Sequence, residues 1–229
     1  MKTVVIIPIL NEEEAIPLVL AEIPKSLVDE IVVVDSDSKD RTVEGVRRFP
    51  VHLVEAKAVG YGDAMLQGLE FAKQFSPEIV VFLDGDYSDY PEDVADILSG
   101  IQSGEWDFVL GSRTMGRAEP GSIMWQARWG NTLSCFLIRL LYGFRYTDMG
   151  PFRAMRFDRF QELRMNSKTF GWNAEMQVKA IQKNYRIKEV SVRYRNRVGH
   201  SKISGTVSGT VKAGILIIYN IIKYQYVRW

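Results

Sequence analysis

The stretch Glu78-Ile79-Val80-Val81-Phe82-Leu83-Asp84-Gly85-Asp86 sets an unbroken apolar run directly before two carboxylates separated by one glycine. A run of this kind, without polar alternation, reads as a strand buried on both faces, and Asp84 and Asp86 then stand at its carboxyl end. Upstream the pattern repeats. Val4 to Leu10, Glu30 to Val34 and Val51 to Val54 read as strands. Between them Asn11, with Glu14 three residues on, reads as a helix N-cap and capping-box partner before a face of Ile16, Val19, Leu20 and Ile23 that Pro24 closes. Helices are expected over Asp40–Phe49 and Tyr61–Phe75, the latter with Ala64, Leu66, Leu69 and Ala72 in the core. Downstream, Pro91–Ile101 reads as a helix, and Asp107–Leu110 as a strand ending in Gly111-Ser112-Arg113.

Alternating strands and helices with continuously apolar strands predict an α/β fold, a mostly parallel central sheet flanked by helices, with a Rossmann-like N-terminal half. Such sheets bind ligands beyond the carboxyl ends of their strands. The polar residues there are Asn11, Glu12, Asp35, Asp37, Lys57, Asp84, Asp86 and Arg113. The second half is less regular. Trp125–Tyr142 reads as one long helix or a broken pair, Phe152–Met155 and Ile187–Arg195 as strands, and Asn173–Asn184 as a helix. Thr206–Tyr224 reads as a terminal helix with Val207, Val211, Ile215, Ile218 and Ile222 on its core stripe. No linker or repeat interrupts the chain, so residues 1–229 are expected to form one domain, divided into halves 1–113 and 114–229.

Composition narrows the class. The 229 residues are 46% hydrophobic and 25% charged, with a net charge of +1, so no global field points to nucleic acid. Cys135, the one cysteine, sits in an apolar run and reads as a small buried hydrophobe in a chain compatible with a reducing, cytoplasmic setting. No stretch reaches the roughly 20 apolar residues of a membrane span. The nearest, Ala213 to Ile222, is short and contains Asn220. His52 reads as structural, and His200 as a loop residue near a motif described below.

Two carboxylates two residues apart at a strand end can converge on Mg²⁺ or Mn²⁺ and bridge to diphosphate oxygens. Asp35, at the end of the second strand, reads equally as a ribose or base acceptor and as a loop residue. Asp37 and Asp40 read as caps for the next helix. Neither the Walker phosphate loop nor a G-x-G-x-x-G after the first strand is present, which argues against P-loop NTPases and Rossmann dehydrogenases.

Taken in order, Pro8-Ile9-Leu10-Asn11-Glu12-Glu13, Val33-Val34-Asp35-Ser36-Asp37-Ser38, Gly60-Tyr61-Gly62, Asp84-Gly85-Asp86, Gly111-Ser112-Arg113, Thr147-Asp148-Met149-Gly150-Pro151-Phe152-Arg153-Ala154 and Gly199-His200-Ser201-Lys202 resemble the family 2 inverting glycosyltransferases. The set is most similar to the dolichyl-phosphate mannose and polyprenyl-phosphate glucose synthase group, over about residues 3–205. The resemblance implies a GT-A type fold, a nucleotide-sugar donor (a UDP- or GDP-hexose) and a divalent metal. It puts Pro8, Glu12, Asp35 and Lys57 at the base and ribose, and Asp84 and Asp86 at the metal and diphosphate. Arg113, joined by Arg128, falls at an acceptor phosphate, Lys202 at the donor diphosphate or acceptor, and Glu175 at an acidic active-site position. This sequence departs at Ser88, where relatives carry Gln, and at Met149-Gly150-Pro151. It also shows no C-terminal transmembrane pair.

A phosphate acceptor is largely ionised at neutral pH and needs cations more than a base. A hydroxyl acceptor needs a carboxylate base, for which Asp148 and Glu175 are the candidates. Between Gly111 and Arg145, Arg113, Arg117, Arg128, Arg139 and Arg145 face a single acid, Glu119, with Trp125, Trp129, Phe136 and Tyr142 interleaved. That mixture suits a lipid-phosphate site and peripheral contact with the cytoplasmic face of a membrane, and equally a packed helix with a solvated arginine face. The tail Tyr224–Trp229 repeats it. The expected activity is metal-dependent hexose transfer from UDP-glucose or GDP-mannose to a polyprenyl or dolichyl phosphate. The alternatives are a soluble hydroxyl or phosphate acceptor, a nucleotidylyltransferase, and a non-catalytic nucleotide-sugar-binding protein. An oligomer is compatible with all of them.

Overall fold

The computed structural model describes residues 1–199 and 207–226, with side chains for 1–199 and 214–226. Seven strands form one sheet: β1 (Thr3–Ile9), β2 (Glu30–Asp35), β3 (His52–Glu55), β4 (Ile79–Phe82), β5 (Phe108–Ser112), β6 (Arg153–Arg156) and β7 (Ile187–Ser191). Their spatial order is β3-β2-β1-β4-β6-β5-β7. Every neighbouring pair is parallel except those of β6, which runs antiparallel to both β4 and β5. The expected mostly parallel α/β sheet is therefore present, with a single reversed strand whose direction the sequence did not declare.

The apolar strands are buried on both faces because each face has its own core. On β1, Val4 and Ile6 join one cluster, and Val5, Ile7 and Ile9 the other. β4 splits likewise, Val80 and Phe82 against Ile79 and Val81. This is the period-2 geometry of a strand. One face is covered by α1 (Ile16–Glu22), α2 (Thr42–Val46) and α4 (Val94–Gln102), through residues such as Ile16, Leu20, Val46, Ile97 and Ile101. The other is covered by α3 (Tyr61–Ala72), α5 (Trp125–Tyr142), α6 (Phe157–Glu162), α7 (Trp172–Gln182) and α8 (Val207–Tyr226).

Several boundaries move for identifiable reasons. Asn11 does not cap α1, which begins at Ile16 after Ala15 with no side-chain cap. Asn11 has φ of 49°, in the left-handed region that asparagine tolerates, and it bonds to the β2–α2 loop through Ser38 and Lys39. Asp40 does accept the Thr42 N–H at 3.0 Å, whereas Asp37 pairs with Lys39. α5 is one unbroken helix of 18 residues. The expected last strand stops at Ser191, and residues 192–197 leave the sheet to run beside the loop after β4.

The largest correction concerns α8. Thr206 lies outside the described residues, as do the side chains of Val207 and Val211. Ile215 and Ile222 are 61% and 43% exposed, while Asn220, Ile221 and Tyr224 are buried. The helix is apolar on most sides, so its periodicity left the phase open, and packing chose the face with Ile221 and Tyr224.

Candidate active site

Each parallel strand of the first half delivers its next residues into one cleft of about 420 Å³. Pro8 stands near the end of β1 and Leu10 and Glu12 follow it, Ser36 follows β2, Ala58, Val59 and Tyr61 follow β3, and Asp84, Gly85 and Asp86 follow β4. The cleft opens where the strand order reverses between β1 and β4, the crevice in which open α/β sheets take their ligands. Gly85 fits because a Cβ there would lie 2.5 Å from Ile9 Cγ2, so the acidic turn can lie against β1 only without a side chain.

The two carboxylates are not equivalent. Asp84 receives the Tyr61 hydroxyl at 3.0 Å. Asp86 receives the Ser88 N–H at 2.9 Å and its hydroxyl at 2.5 Å, and its other oxygen lies 3.2 Å from Arg197 Nη2. Burial, and then the Asp86 charge, push the Asp84 carboxyl up to about 7 despite Tyr61, Arg197 and Arg113. A divalent cation relieves this repulsion, and hard oxygen donors suit Mg²⁺ or Mn²⁺. Among the described residues no group of three or more His, Cys, Asp or Glu is arranged for a metal. Ser88, the position at which the sequence departs from the resembled group, bonds to Asp86.

Sequence reading missed Arg197. It lies 3.3 Å from Glu12 Oε1 as well as 3.2 Å from Asp86, and so bridges the loop after β1 to the acidic turn. Two more arginines precede it at alternate positions. Arg193 clasps Asp93 at 2.6 Å and Arg195 clasps Glu22 at 2.7 Å. The backbone follows the same track, Arg195 N–H to Ser88 O at 2.9 Å and Val198 N–H to Asp86 O at 3.1 Å. The alternation Arg193, Arg195, Arg197 was the available signal. It reads as a strand face until the acidic partners are known. Asp89, also missed, is 2% exposed, and neither carboxylate oxygen has a hydrogen-bond partner among the described residues. Burial and the Asp84 and Asp86 charges push its carboxyl well above the usual range.

Arg113 follows β5 and meets Asp148 in a two-pronged pair. Nε and Nη2 donate to the two carboxylate oxygens at 2.8 Å each, and the Arg113 N–H adds a third bond at 2.8 Å. The guanidinium lies over Tyr194, 5.0 Å from the ring centroid, and is 16% exposed against 1% for Asp148. Burial works against the Asp148 charge, but Arg113 and the N–H groups of Arg113 and Met149 hold its carboxyl below the ordinary carboxylate range. Glu189 supports the same turn, receiving N–H groups of Thr147 and Asp148 at 2.9 and 3.1 Å.

Glu175 does not stand ready as a base. It is fully buried, pairs with Lys179 at 2.6 Å, and accepts the N–H groups of Asn166 and Ser167 at 2.9 and 2.6 Å and the Tyr224 hydroxyl at 2.7 Å. Its contact with the site is indirect, through the 163–171 loop that carries Phe170 to the cleft. That loop also explains Gly60-Tyr61-Gly62, since a Cβ at Gly62 would lie 2.1 Å from Ser167 O. Arg128 lies exposed on α5, outside the Arg113–Asp148 clasp. Asp35 is 4% exposed with its carboxylate oxygens on Ser38, and Lys57 is exposed beyond β3. Lys202 and His200 lie outside the described residues.

A strand-end acidic pair beside a cleft, on a mostly parallel sheet with one reversed strand, is the build of a glycosyltransferase with the GT-A fold. The chain belongs to glycosyl transferase family 2, whose profile matches residues 4–164. An uncharacterised glycosyltransferase of Mycobacterium tuberculosis is 31% identical over 222 residues, covering 96% of this chain and 97% of the relative. The undecaprenyl-phosphate mannosyltransferase of Micrococcus luteus is 28% identical, with 91% and 90% covered. Among solved structures, the glucosyl-3-phosphoglycerate synthase of M. tuberculosis in complex with Mn²⁺, UDP and phosphoglyceric acid superposes with a TM-score of 0.76 at 19% identity, covering 100% of this chain and 80% of that one. The mannosyl-3-phosphoglycerate synthase of Rubrobacter xylanophilus gives 0.77 at 16% identity, with 99% and 74% covered.

Proposed function

We propose that this glycosyltransferase moves a hexose from UDP-glucose or GDP-mannose to the phosphate of a polyprenyl-type lipid, with inversion at the anomeric carbon. The observation that carries the acceptor class is the state of the two candidate bases. Asp148 is bound by Arg113 on both oxygens, and Glu175 is bound by Lys179, Tyr224 and two backbone N–H groups. A hydroxyl acceptor needs a free base within reach of its proton, whereas an ionised phosphate needs only cations. Arg113 supplies one, aligned by Asp148, and Arg128 and Lys202 are proposed to add others. The M. luteus relative, named for undecaprenyl phosphate, supports the same choice.

In this reading residues 1–113 bind the donor. Pro8, Glu12, Asp35 and Lys57 serve its nucleoside, and Asp84 and Asp86 would hold Mg²⁺ or Mn²⁺. The bound cation would supply positive charge to neutralise the leaving nucleoside diphosphate. Tyr61 and Ser88 orient the two carboxylates, and Arg197 adds positive charge beside Asp86. Residues 114–229 form the acceptor side, working at the cytoplasmic face of a membrane. A soluble phosphorylated acceptor is the second reading, because the structural neighbours include enzymes solved with phosphoglyceric acid.

The test is transfer of labelled sugar from each donor to polyprenyl phosphate or to 3-phosphoglycerate, with Mg²⁺ or Mn²⁺, followed by organic extraction. Metal-dependent label in the organic phase is expected. Label that stays aqueous on phosphoglycerate overturns the lipid acceptor and leaves the donor chemistry standing.

A further inference from the structure

Two helices on the acceptor side expose large apolar side chains in continuous stripes. On α5, Trp125, Trp129, Leu133, Phe136 and Leu140 are 70%, 71%, 44%, 58% and 67% exposed. Their spacing of three and four residues puts them on one helical face, opposite buried Ser134, Cys135 and Ile138. On α8, Ile215, Tyr219, Ile222 and Tyr226 repeat the pattern, opposite buried Ile221 and Tyr224. The helices pack on each other, with the Tyr142 hydroxyl donating to Ile221 O at 2.5 Å, and their buried faces enter the same core. The two stripes therefore lie side by side and point away from that core.

Charge distinguishes this face from an ordinary subunit contact. No Asp or Glu occurs between Pro120 and Thr147, and none follows Glu189. Arg128 and Arg139, three helical turns apart, follow one flank of the α5 stripe, and Lys223 flanks that of α8; all three are exposed. The net charge of the whole chain is only +1, so the acids are concentrated outside these two segments. An apolar, aromatic-rich face on two helices that carry arginine and lysine but no acid complements an anionic bilayer, which takes aromatic and aliphatic side chains at its boundary and lysine and arginine at its headgroups. Among the described residues no helix is long and apolar enough to cross a membrane, so these helices would lie in the interface plane.

We infer that the joined faces of α5 and α8 form a surface that docks on anionic lipid headgroups and sets the acceptor clasp at the bilayer boundary. The link to the clasp is direct. Asn131 of α5 accepts the Met149 N–H at 2.8 Å and donates to Thr147 O at 3.2 Å, on either side of the Asp148 that holds Arg113. The inference deepens the lipid-phosphate reading but stands on exposure and charge, so the two can fail separately.

The experiment uses the full chain and vesicles free of polyprenyl phosphate, made of phosphatidylcholine alone or with phosphatidylglycerol. Sedimentation with the anionic vesicles, reduced on raising salt to about 0.5 M, is expected. The double variant Trp129→Ser, Phe136→Ser should bind them at least about tenfold more weakly, with an unchanged melting temperature because both side chains are exposed. Failure of the native chain to sediment with anionic vesicles overturns the docking surface. So does light scattering that shows a dimer which the same double variant dissolves, since a second copy would then cover this face. Vesicle binding without transfer to polyprenyl phosphate would keep the surface and remove the proposed acceptor; transfer in detergent without vesicle binding would do the reverse.

Discussion

Asp84 and Asp148 are both acids withdrawn from water near strand ends of one sheet, yet they are held in opposite states. Burial drives both toward the neutral form. At Asp84 the neighbouring Asp86 adds to that pressure, and the carboxyl rises to about 7. At Asp148 a two-pronged Arg113 and two backbone N–H groups overcome burial and keep the carboxylate charged. The difference lies in who supplies the countercharge. The Arg113–Asp148 clasp brings its own. The acidic turn has Arg197 beside Asp86, and in the proposed function a metal would add the rest.

Asp84→Asn tests the donor end most severely. It removes the repulsion with Asp86, so melting temperature is expected to hold or rise while turnover falls by about three orders of magnitude, the scale of a lost electrostatic stabiliser. Sugar transfer at saturating Mn²⁺ beside a thermal melt reads both, and near-native turnover would end the metal assignment. Next in size, Asp148→Ala strips a largely buried guanidinium of its partner and should cost roughly 3–5 kcal/mol of stability. Urea unfolding measures this, and a loss no larger than that of an exposed ion pair would show that the clasp is not structural.

The smallest expected effect is a pH dependence. The folded Asp84 carboxyl binds its proton near pH 7 against 3.8 for an ordinary aspartate, so its contribution to folding without metal declines as pH rises from about 4 to 7. Metal binding must displace that proton, so Mn²⁺ affinity should weaken by up to about tenfold per pH unit below 7. Titrating Mn²⁺ into the substrate-free chain at pH 6 and pH 8 reads it, and equal affinities would break the contrast with Asp148.

The N-terminal half was legible because its evidence is local. β1 to β4 announce themselves as apolar runs, and what each strand carries at its end follows from topology, so Glu12, Asp84 and Asp86 could be placed on the cleft in advance, while Pro8 came from the family resemblance. What stayed hidden is held by partners distant in sequence. Arg197 reaches Asp86, and Glu175 is captured by Tyr224 and by a loop whose N–H groups it satisfies. A lone acid on a helix looks the same in sequence whether it is a base or a buried strut. The phase of α8 was open for a different reason: a helix apolar on most sides carries no moment strong enough to choose its buried face.

The reversed strand has a consequence for how the protein is made. β6 lies between β4 and β5, so residues 153–156 fill a gap whose two walls are synthesised earlier. While the chain is still on the ribosome, β1 to β4 can pair in sequence, but the outer rim of β4 keeps open backbone groups until β6 emerges some 70 residues later. An open, apolar rim is a template for unwanted strand pairing. The acidic turn at the end of β4 thus begins life beside an open, apolar sheet edge, and the arrival of one short strand closes that edge as it joins the two halves into a single sheet.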